Sequence, residues 1–224
     1  MTREEALLAL EASGTEEQRR ALQRHGAKPP VFGVSSMNLR KLRAHIGLDR
    51  GLAEALWETG IADARHLAVF LVDPKTAPVK LLDRWVTGID YYFLADHFVR
   101  DLVSKSPWAD NCLKWTRSHK EWIGRAGYML LATLLDNGER LGEDRMRGFV
   151  RDIEYEIHAS KNRVRDAMLH AMVAIGCHVP ALRMEVLRAW RNIGTVEVNF
   201  GETKCRLPDV PAEIQAHLRR ISTE

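Results

Sequence analysis

Apolar residues recur at intervals of three and four along most of the chain, a spacing that puts them on one face of an α-helix. The pattern predicts helices in nine segments: Glu4 to Leu10, Met37 to Ile46, Leu52 to Trp57, Ala62 to Leu71, Val79 to Val86, Phe93 to Val103, Ile123 to Leu135, Arg145 to Ile157 and Val164 to Ile175. Glycine, proline or asparagine interrupts the pattern between them, for example at Pro29-Pro30 and Asn137-Gly138, as in short links between helices. A last helix is expected at Ala212 to Arg220. We therefore predict an all-α protein.

One late segment departs from the helical period. From Val196 to Phe200, apolar residues alternate with polar ones before Gly201, which is typical of a short strand that turns back. We expect this segment either to pack against the last helix or to add Lys204 and Arg206 to a basic surface.

Three parts of the chain share a loose form, in which an apolar helix and a polar turn lead into a second helix with arginine and small residues. They are Leu56 to Ala68, Leu113 to Ala126 and Ile153 to Ala167. Helical repeats of the HEAT type run about 40 residues and stack into a curved array whose second helices line one surface. The repeat pattern by itself fits an irregular helical bundle equally well.

The candidate site lies on two of the predicted helices. Tyr92 and Asp96 are four residues apart, and Trp122 and Arg125 are three apart, so each pair shares a helix face. A carboxylate beside an aromatic ring, with a guanidinium one helix away, suits a cationic ligand attached to a phosphate backbone. The alternative is structural, because Asp96 could form an ion pair with Arg100 or with Arg125.

The same residues resemble the core of the HEAT-like DNA alkylation repair family, the AlkD-type glycosylases. Lys114, Trp115, Trp122 and Arg125 match the second half of the family pattern in register. Tyr92 and Asp96 match the first half, with Tyr92 in place of the family's tryptophan. Weaker similarity runs from about residue 24 to residue 176.

The resemblance implies an α-solenoid of HEAT-like helical repeats that forms a curved array with a basic concave groove. It predicts one domain over residues 1–224, with N-terminal helices in 1–26, a repeat core at about 35–192 and a C-terminal extension in 193–224. The second helices of the repeats would bring Arg65, Asp96, Arg125 and Arg165 toward the groove.

The resemblance also implies an activity, the hydrolysis of the N-glycosidic bond of cationic N3- or N7-alkylated purines in duplex DNA. Asp96 would be the catalytic residue that stabilises the oxocarbenium-like transition state and orients water. Tyr92 would pack against the sugar, and Arg125 would hold the phosphate beside the lesion.

Departures from the family pattern leave two other functions open. His170 stands where the family has a second tryptophan, and the family's N-terminal tyrosine is missing near Arg24 and His25. A neutral His170 could stack on a base, whereas a protonated one would repel a cationic base; His170 could also be a partly buried helix residue. The alternatives are a non-catalytic protein that binds damaged or branched DNA and a scaffold for other proteins.

Basic residues outside this site are further candidates for contact with DNA. Lys161, Arg163 and Arg165 form one cluster, and Arg65 lies in an earlier predicted helix. Several such cations would bind phosphates without reading sequence. The net charge of +3 is small, so these clusters could equally be solvated helix faces.

Other features limit the compartment and the ligands. We find no run of apolar residues long enough to cross a membrane and no secretory leader, so we expect a cytoplasmic protein. We expect it to be a monomer, and the resemblance implies that its partner is duplex, damaged or branched DNA. The cysteines Cys112, Cys177 and Cys205 are far apart, which favours a reducing compartment. No glycine-rich phosphate loop or metal-ligand spacing is present, so we expect no cofactor and no metal.

Overall fold

The structure is a computed structural model that describes residues 1–222, and all regular secondary structure within them is helical. The described part of the chain contains thirteen α-helices. They are α1 (Arg3–Ala12), α2 (Glu16–Arg24), α3 (Ser36–Ile46), α4 (Arg50–Trp57), α5 (Ala62–Leu71), α6 (Val79–Thr87), α7 (Tyr92–Asp101), α8 (Ala109–Cys112), α9 (Glu121–Asp136), α10 (Glu143–Glu156), α11 (Asn162–His178), α12 (Arg183–Ile193) and α13 (Val210–Ile221). Short 3-10 helices lie at Pro74–Thr76, Val103–Lys105, Leu113–Arg117 and Pro180–Leu182.

The helices predicted from the apolar period are confirmed, including the last one, which is α13. The period did not identify α2, α8 or α12. Helix α2 has no buried residue, so its sequence carries no apolar stripe. In α12, Val186, Ala189 and Ile193 are buried at helical spacing, a periodic pattern that could have identified this helix.

The predicted strand at Val196 to Phe200 is wrong. Residues 194–200 form no regular element, and the turn after them uses Gly201 at a φ of +63°. The backbone N–H of Asn199 donates to the side chain of Asn162 at 2.7 Å, and its carbonyl accepts from the same side chain at 2.8 Å. An alternating segment becomes a strand only beside another extended segment, and here the backbone groups of Asn199 are bonded instead to an asparagine side chain at the start of α11.

Contacts along the chain divide it into two compact units. Unit 1 comprises Met1–Asn111 with Gly201–Thr203, and unit 2 comprises Cys112–Phe200 with Lys204–Glu224. Each unit has its own apolar core. The single repeat domain inferred from the sequence stays a prediction.

Buried aromatic rings fill the core of unit 1. The rings of Trp57 and Trp85 stack with centroids 4.3 Å apart and an interplanar angle of 4°, and Phe98 packs against Trp57 at 6.2 Å. Large aromatic side chains remove much apolar surface from water when they are buried in this way. These contacts join α4, α6 and α7 and so fix the position of α7, which carries Asp96.

A buried carboxylate holds the segment before α3. Asp63, at 0% exposure, accepts hydrogen bonds from the backbone N–H groups of Phe32 (2.6 Å), Gly33 (3.2 Å) and Val34 (2.7 Å). Such bonds satisfy the carboxylate and three backbone donors of an irregular segment. Asp63 therefore fixes this loop against α5.

In unit 2, α9 and α11 are the most heavily buried helices, and a 3-10 helix packs directly against α9. A Cβ atom added at Gly127 in α9 would overlap the backbone of Trp115 and Thr116. Only glycine permits an approach of two backbones at this distance. Trp115, at 5% exposure, belongs to this core.

Among residues 1–222, no single helix is both long and apolar enough to cross a membrane. The helix pair Asn162–His178 and Pro180–Ile193 has the length and composition of a membrane span only when its two helices, which are bent by 114° relative to each other, are counted together.

Candidate functional site

Tyr92 and Asp96 lie one turn apart on α7 in unit 1, and Asp96 is half-buried. Tyr92 is buried, at 8% exposure, and its hydroxyl forms a hydrogen bond with Nδ1 of His25. Arg100, one turn beyond Asp96, pairs with Asp101 at 2.9 Å. The tyrosine beside the candidate catalytic acid is therefore held by a protein contact.

Histidines and aromatic rings form a cluster beside Asp96. We call it the imidazole cluster, and it consists of His25, His66, Phe70, Tyr91, Tyr92, Phe93 and His97. Nε2 of His66 lies 2.5 Å from the Tyr91 hydroxyl, and Nδ1 of His66 lies 3.2 Å from Nδ1 of His97. One of the two Nδ1 atoms must donate and the other accept, so this bond requires at least one neutral ring.

The two buried histidines of this cluster are held neutral. Burial, with the nearby charge of Arg100, lowers the pKa of His97 from its ordinary value to about 4. Burial, reinforced by His97, lowers the pKa of His66 well below its ordinary value. Charging either ring would leave a cation buried away from solvent. Neither residue is predicted from the sequence, although each is a polar position on a helix whose other residues are mostly apolar.

Arg65 serves a structural purpose in unit 1. Its side chain is 17% exposed, and it donates to the carbonyl of Gly88 at 2.9 Å and to that of Trp57 at 3.2 Å. Its guanidinium lies 5.4 Å from the centre of the Trp57 ring. Arg65 thus satisfies carbonyl groups at the ends of α4 and α6.

Arg125 and His170 meet at one carboxylate in unit 2. Arg125 is 3% exposed, and its Nη1 donates to Asp166 at 2.6 Å and to the carbonyl of Arg163 at 3.2 Å. Nε2 of His170 lies 3.6 Å from the other oxygen of Asp166. Burial alone would raise the pKa of Asp166, but the contact with His170 and the charge of Arg125 outweigh it and hold that pKa below its ordinary value. Asp166 is not among the residues predicted from the sequence, although it lies one helical turn before His170.

The remaining candidates in unit 2 differ in how far they reach solvent. Lys161 is exposed and Trp122 is half-buried. Arg163 is buried with its guanidinium 4.8 Å from the centre of the Phe200 ring. Arg165 donates to three carbonyl groups, those of Ser160 (2.9 Å), His158 (3.1 Å) and Glu197 (3.1 Å). Arg163 and Arg165 therefore hold segments 158–160 and 197–200 around the start of α11.

Helix α3 presents cations that unit 1 does not neutralise. Its sequence contains Arg40, Lys41 and Arg43 and no acidic residue, and all three are exposed. Within the described chain, none of them is within ion-pair distance of a carboxylate, and Arg40 contacts the Phe70 ring at 5.1 Å. Such side chains can bind phosphate without first breaking an internal ion pair.

The structure brings together Tyr92 with Asp96 in unit 1, and Arg125 with His170 in unit 2. The common groove that joins Arg65, Asp96, Arg125 and Arg165 stays a prediction, as do the roles of all the named site residues. In residues 1–222, no group of three or more His, Cys, Asp or Glu side chains could hold a metal ion.

The sequence matches a known family over most of its length. A family model described as DNA alkylation repair enzyme matches residues 6–192. Two bacterial relatives are the uncharacterized proteins Lin0241 of Listeria innocua and Lmo0209 of Listeria monocytogenes. The first is 22% identical over 199 residues, covering 86% of this chain and 85% of the relative. The second is 21% identical over 189 residues, covering 83% and 82%.

A solved structure matches the fold almost completely. It covers 98% of this chain and 95% of its own, with a TM-score of 0.86 and 29% sequence identity. It is described as a new family of proteins related to the HEAT-like repeat DNA glycosylases with affinity for branched DNA structures. The match confirms the predicted all-α fold of the HEAT-like type.

Proposed function

Because this chain belongs to the DNA alkylation repair enzyme family, we propose that it binds branched DNA as a repair protein and does not excise bases. The structural relative with affinity for branched DNA is similar over 98% of the chain, which supports DNA as the ligand.

The burial of Arg125 and its ion pair are the observations that favour DNA binding over base excision. The resemblance assigns this guanidinium to the phosphate beside a damaged base. In the structure Arg125 is buried and bonded to Asp166 at 2.6 Å. To reach a phosphate it would have to leave Asp166 charged and buried, which costs several kcal/mol. Binding without the excision chemistry therefore suits this site better.

The affinity for DNA would come from exposed cations. Arg40, Lys41 and Arg43 on α3 and Lys161 at the start of α11 meet the requirement of solvent-facing charge. Their contacts with phosphates release counterions, so binding should weaken steeply as salt is raised. No base-reading motif accompanies them, so DNA shape would be recognised instead of sequence.

The direct test is binding to a four-way junction and to a linear duplex built from the same arm sequences. We expect the purified protein to bind the junction at least tenfold more tightly than the duplex at 100 mM salt. Both affinities should fall between 50 and 200 mM salt. Equal affinity for the two substrates would contradict the preference for branches. Affinity independent of salt, or no binding, would favour the protein scaffold that the sequence left open.

Excision through Asp96 is the second candidate, and one observation favours it. Asp96 is half-buried on α7, beside the aromatic rings of the imidazole cluster, in surroundings where a carboxylate can stabilise a positively charged sugar. The test is release of 7-methylguanine and 3-methyladenine from methylated duplex DNA, with Asp96→Asn as the matched variant. We expect neither protein to release a methylated base. If the wild type releases these bases and Asp96→Asn does not, the proposal that the protein binds DNA without excision is contradicted.

A further inference from the structure

Unit 2 contains a cavity of about 660 Å³ that none of Arg125, His170 and Trp122 lines. It lies between the turn after the 3-10 helix Leu113–Arg117, one face of α10 and the start of α11. Its volume falls within the range of pockets that hold small organic molecules. The cavity is therefore separate from the candidate site described above, with Lys161 as the one residue common to both.

The charges of the cavity are of two kinds. Asp152 and Glu156, four residues apart on α10, supply carboxylates, whereas Arg117 and Lys161 supply cations. A residue pair at this spacing lies on one face of a helix, so both carboxylates face the cavity from the same side. Lys161 occupies the N-cap position of α11, a helix of 17 residues. The partial positive charge at the N-terminus of this helix adds to the cationic side of the cavity.

The side chain of a largely buried tyrosine also lines this cavity. Tyr128 is 2% exposed, yet it borders the cavity. Burial, together with the charges of Glu156 and Asp152, raises the pKa of Tyr128 above its ordinary value. The hydroxyl is therefore protonated at neutral pH and is available as a donor and an acceptor.

The two kinds of charge restrict the occupant. A simple anion would meet the carboxylates of Asp152 and Glu156, and a simple amine would meet the cations Arg117 and Lys161. A molecule with hydrogen-bond donors at one end and a phosphate at the other satisfies both sides. A nucleotide whose base has an exocyclic amino group has this form, because a carboxylate can accept from the amino group and a cation can bind the phosphate. The apolar side chains of Val164 and Met168 would contact the face of the base.

We infer that this cavity binds one unpaired nucleotide of DNA whose base carries an exocyclic amino group. The inference rests on the proposed function in one respect, because branched DNA is the source of the unpaired nucleotide. The acidic wall rejects thymine, which presents a carbonyl oxygen where cytosine presents an amino group.

The experiment uses free nucleotides, so that the result does not depend on DNA binding. The full-length protein is titrated with dCMP and with dTMP, and binding is followed by isothermal calorimetry and by NMR shifts of the Tyr128 ring. We expect dCMP to bind at least tenfold more tightly than dTMP. Asp152→Asn and Tyr128→Phe should each weaken dCMP at least fivefold and leave dTMP nearly unchanged. Asp144→Asn, an exposed acidic position on the same helix that does not line the cavity, is the matched control and should change neither.

The possible outcomes distinguish a failure of the nucleotide site from a failure of the proposed DNA binding. Equal binding of dCMP and dTMP, or no binding at millimolar concentration, would overturn the nucleotide site even if junction DNA is bound. Selective dCMP binding that the two variants abolish would support the site even if junction binding fails. Both variants are checked by circular dichroism, and Tyr128→Phe keeps the ring, so a loss of binding in a folded variant identifies the hydroxyl.

Discussion

Arg125 in α9 and Asp166 in α11 form a buried ion pair with a distance of 2.6 Å between Nη1 and Oδ2, and their side chains are 3% and 5% exposed. The pair joins the two helices that make the core of unit 2. It also buries the arginine that the family resemblance predicts to contact DNA. One contact thus affects both the stability of the protein and the expected chemistry.

Removing one partner of this pair should destabilise the protein strongly. Arg125→Ala leaves a carboxylate buried without its cation, and we expect the free energy of unfolding to fall by about 3–5 kcal/mol. The measurement is urea denaturation followed by circular dichroism. Arg20→Ala, which removes an exposed ion pair with Glu16, is the control and should cost less than about 1 kcal/mol.

The double variant Arg125→Met with Asp166→Leu tests the cause of that loss. If the uncompensated charge is responsible, the double variant should recover most of the stability that Arg125→Ala loses. A double variant as unstable as Arg125→Ala would show that packing of the arginine side chain, and not its charge, stabilises the two helices.

Acid should destabilise unit 1 through His66 and His97. Their pKa values are lowered in the folded protein, that of His97 to about 4, so between about pH 4 and the unfolded value near 6.5 the unfolded chain binds more protons. Their contribution is fully present above pH 6.5 and declines as the pH falls. The slope approaches about 1.4 kcal/mol per pH unit for each histidine. Urea midpoints measured at pH 7.5, 6.0 and 5.0 give this dependence.

His97→Gln should reduce that pH dependence, because glutamine does not titrate. The exposed His45 provides the control, and His45→Gln should leave the dependence as in the wild type. A wild-type protein equally stable at pH 7.5 and 5.0 would contradict the assignment of neutral buried rings.

Two glycines in helices should respond in opposite directions to alanine. Gly127→Ala places a Cβ against the backbone of Trp115 and Thr116, so we expect a loss of at least about 1–3 kcal/mol. At Gly148 in α10 no atom lies within 4 Å of the added Cβ. Gly148→Ala should therefore stabilise the protein by up to about 1 kcal/mol through helix propensity. Thermal and urea unfolding of the two variants would reveal the difference in sign.

The cations of α3 should contribute to DNA affinity through charge alone. Lys41→Ala with Arg43→Ala removes two exposed cations. If both contact phosphates, the slope of log K against log salt should become shallower by about 2. Fluorescence anisotropy with labelled junction DNA measures the slope. Lys75→Ala with Lys80→Ala removes the same charge from other exposed positions, and an equal effect there would contradict a specific role for α3.

The sequence by itself determined the helical class, most helix positions and the family, because the apolar period and the aromatic, acidic and basic motif are local properties. It could not determine which polar side chains turn inward. Arg125 was predicted from its motif to face DNA, but its partner Asp166 is 41 residues away, and only folding brings the two helices together. The same holds for His66 and His97, 31 residues apart, and for the segment after Val196, whose alternation gives a strand only when another extended segment lies beside it. Local spacing fixes which face of a helix a residue occupies, whereas tertiary packing decides whether that face meets solvent or another helix.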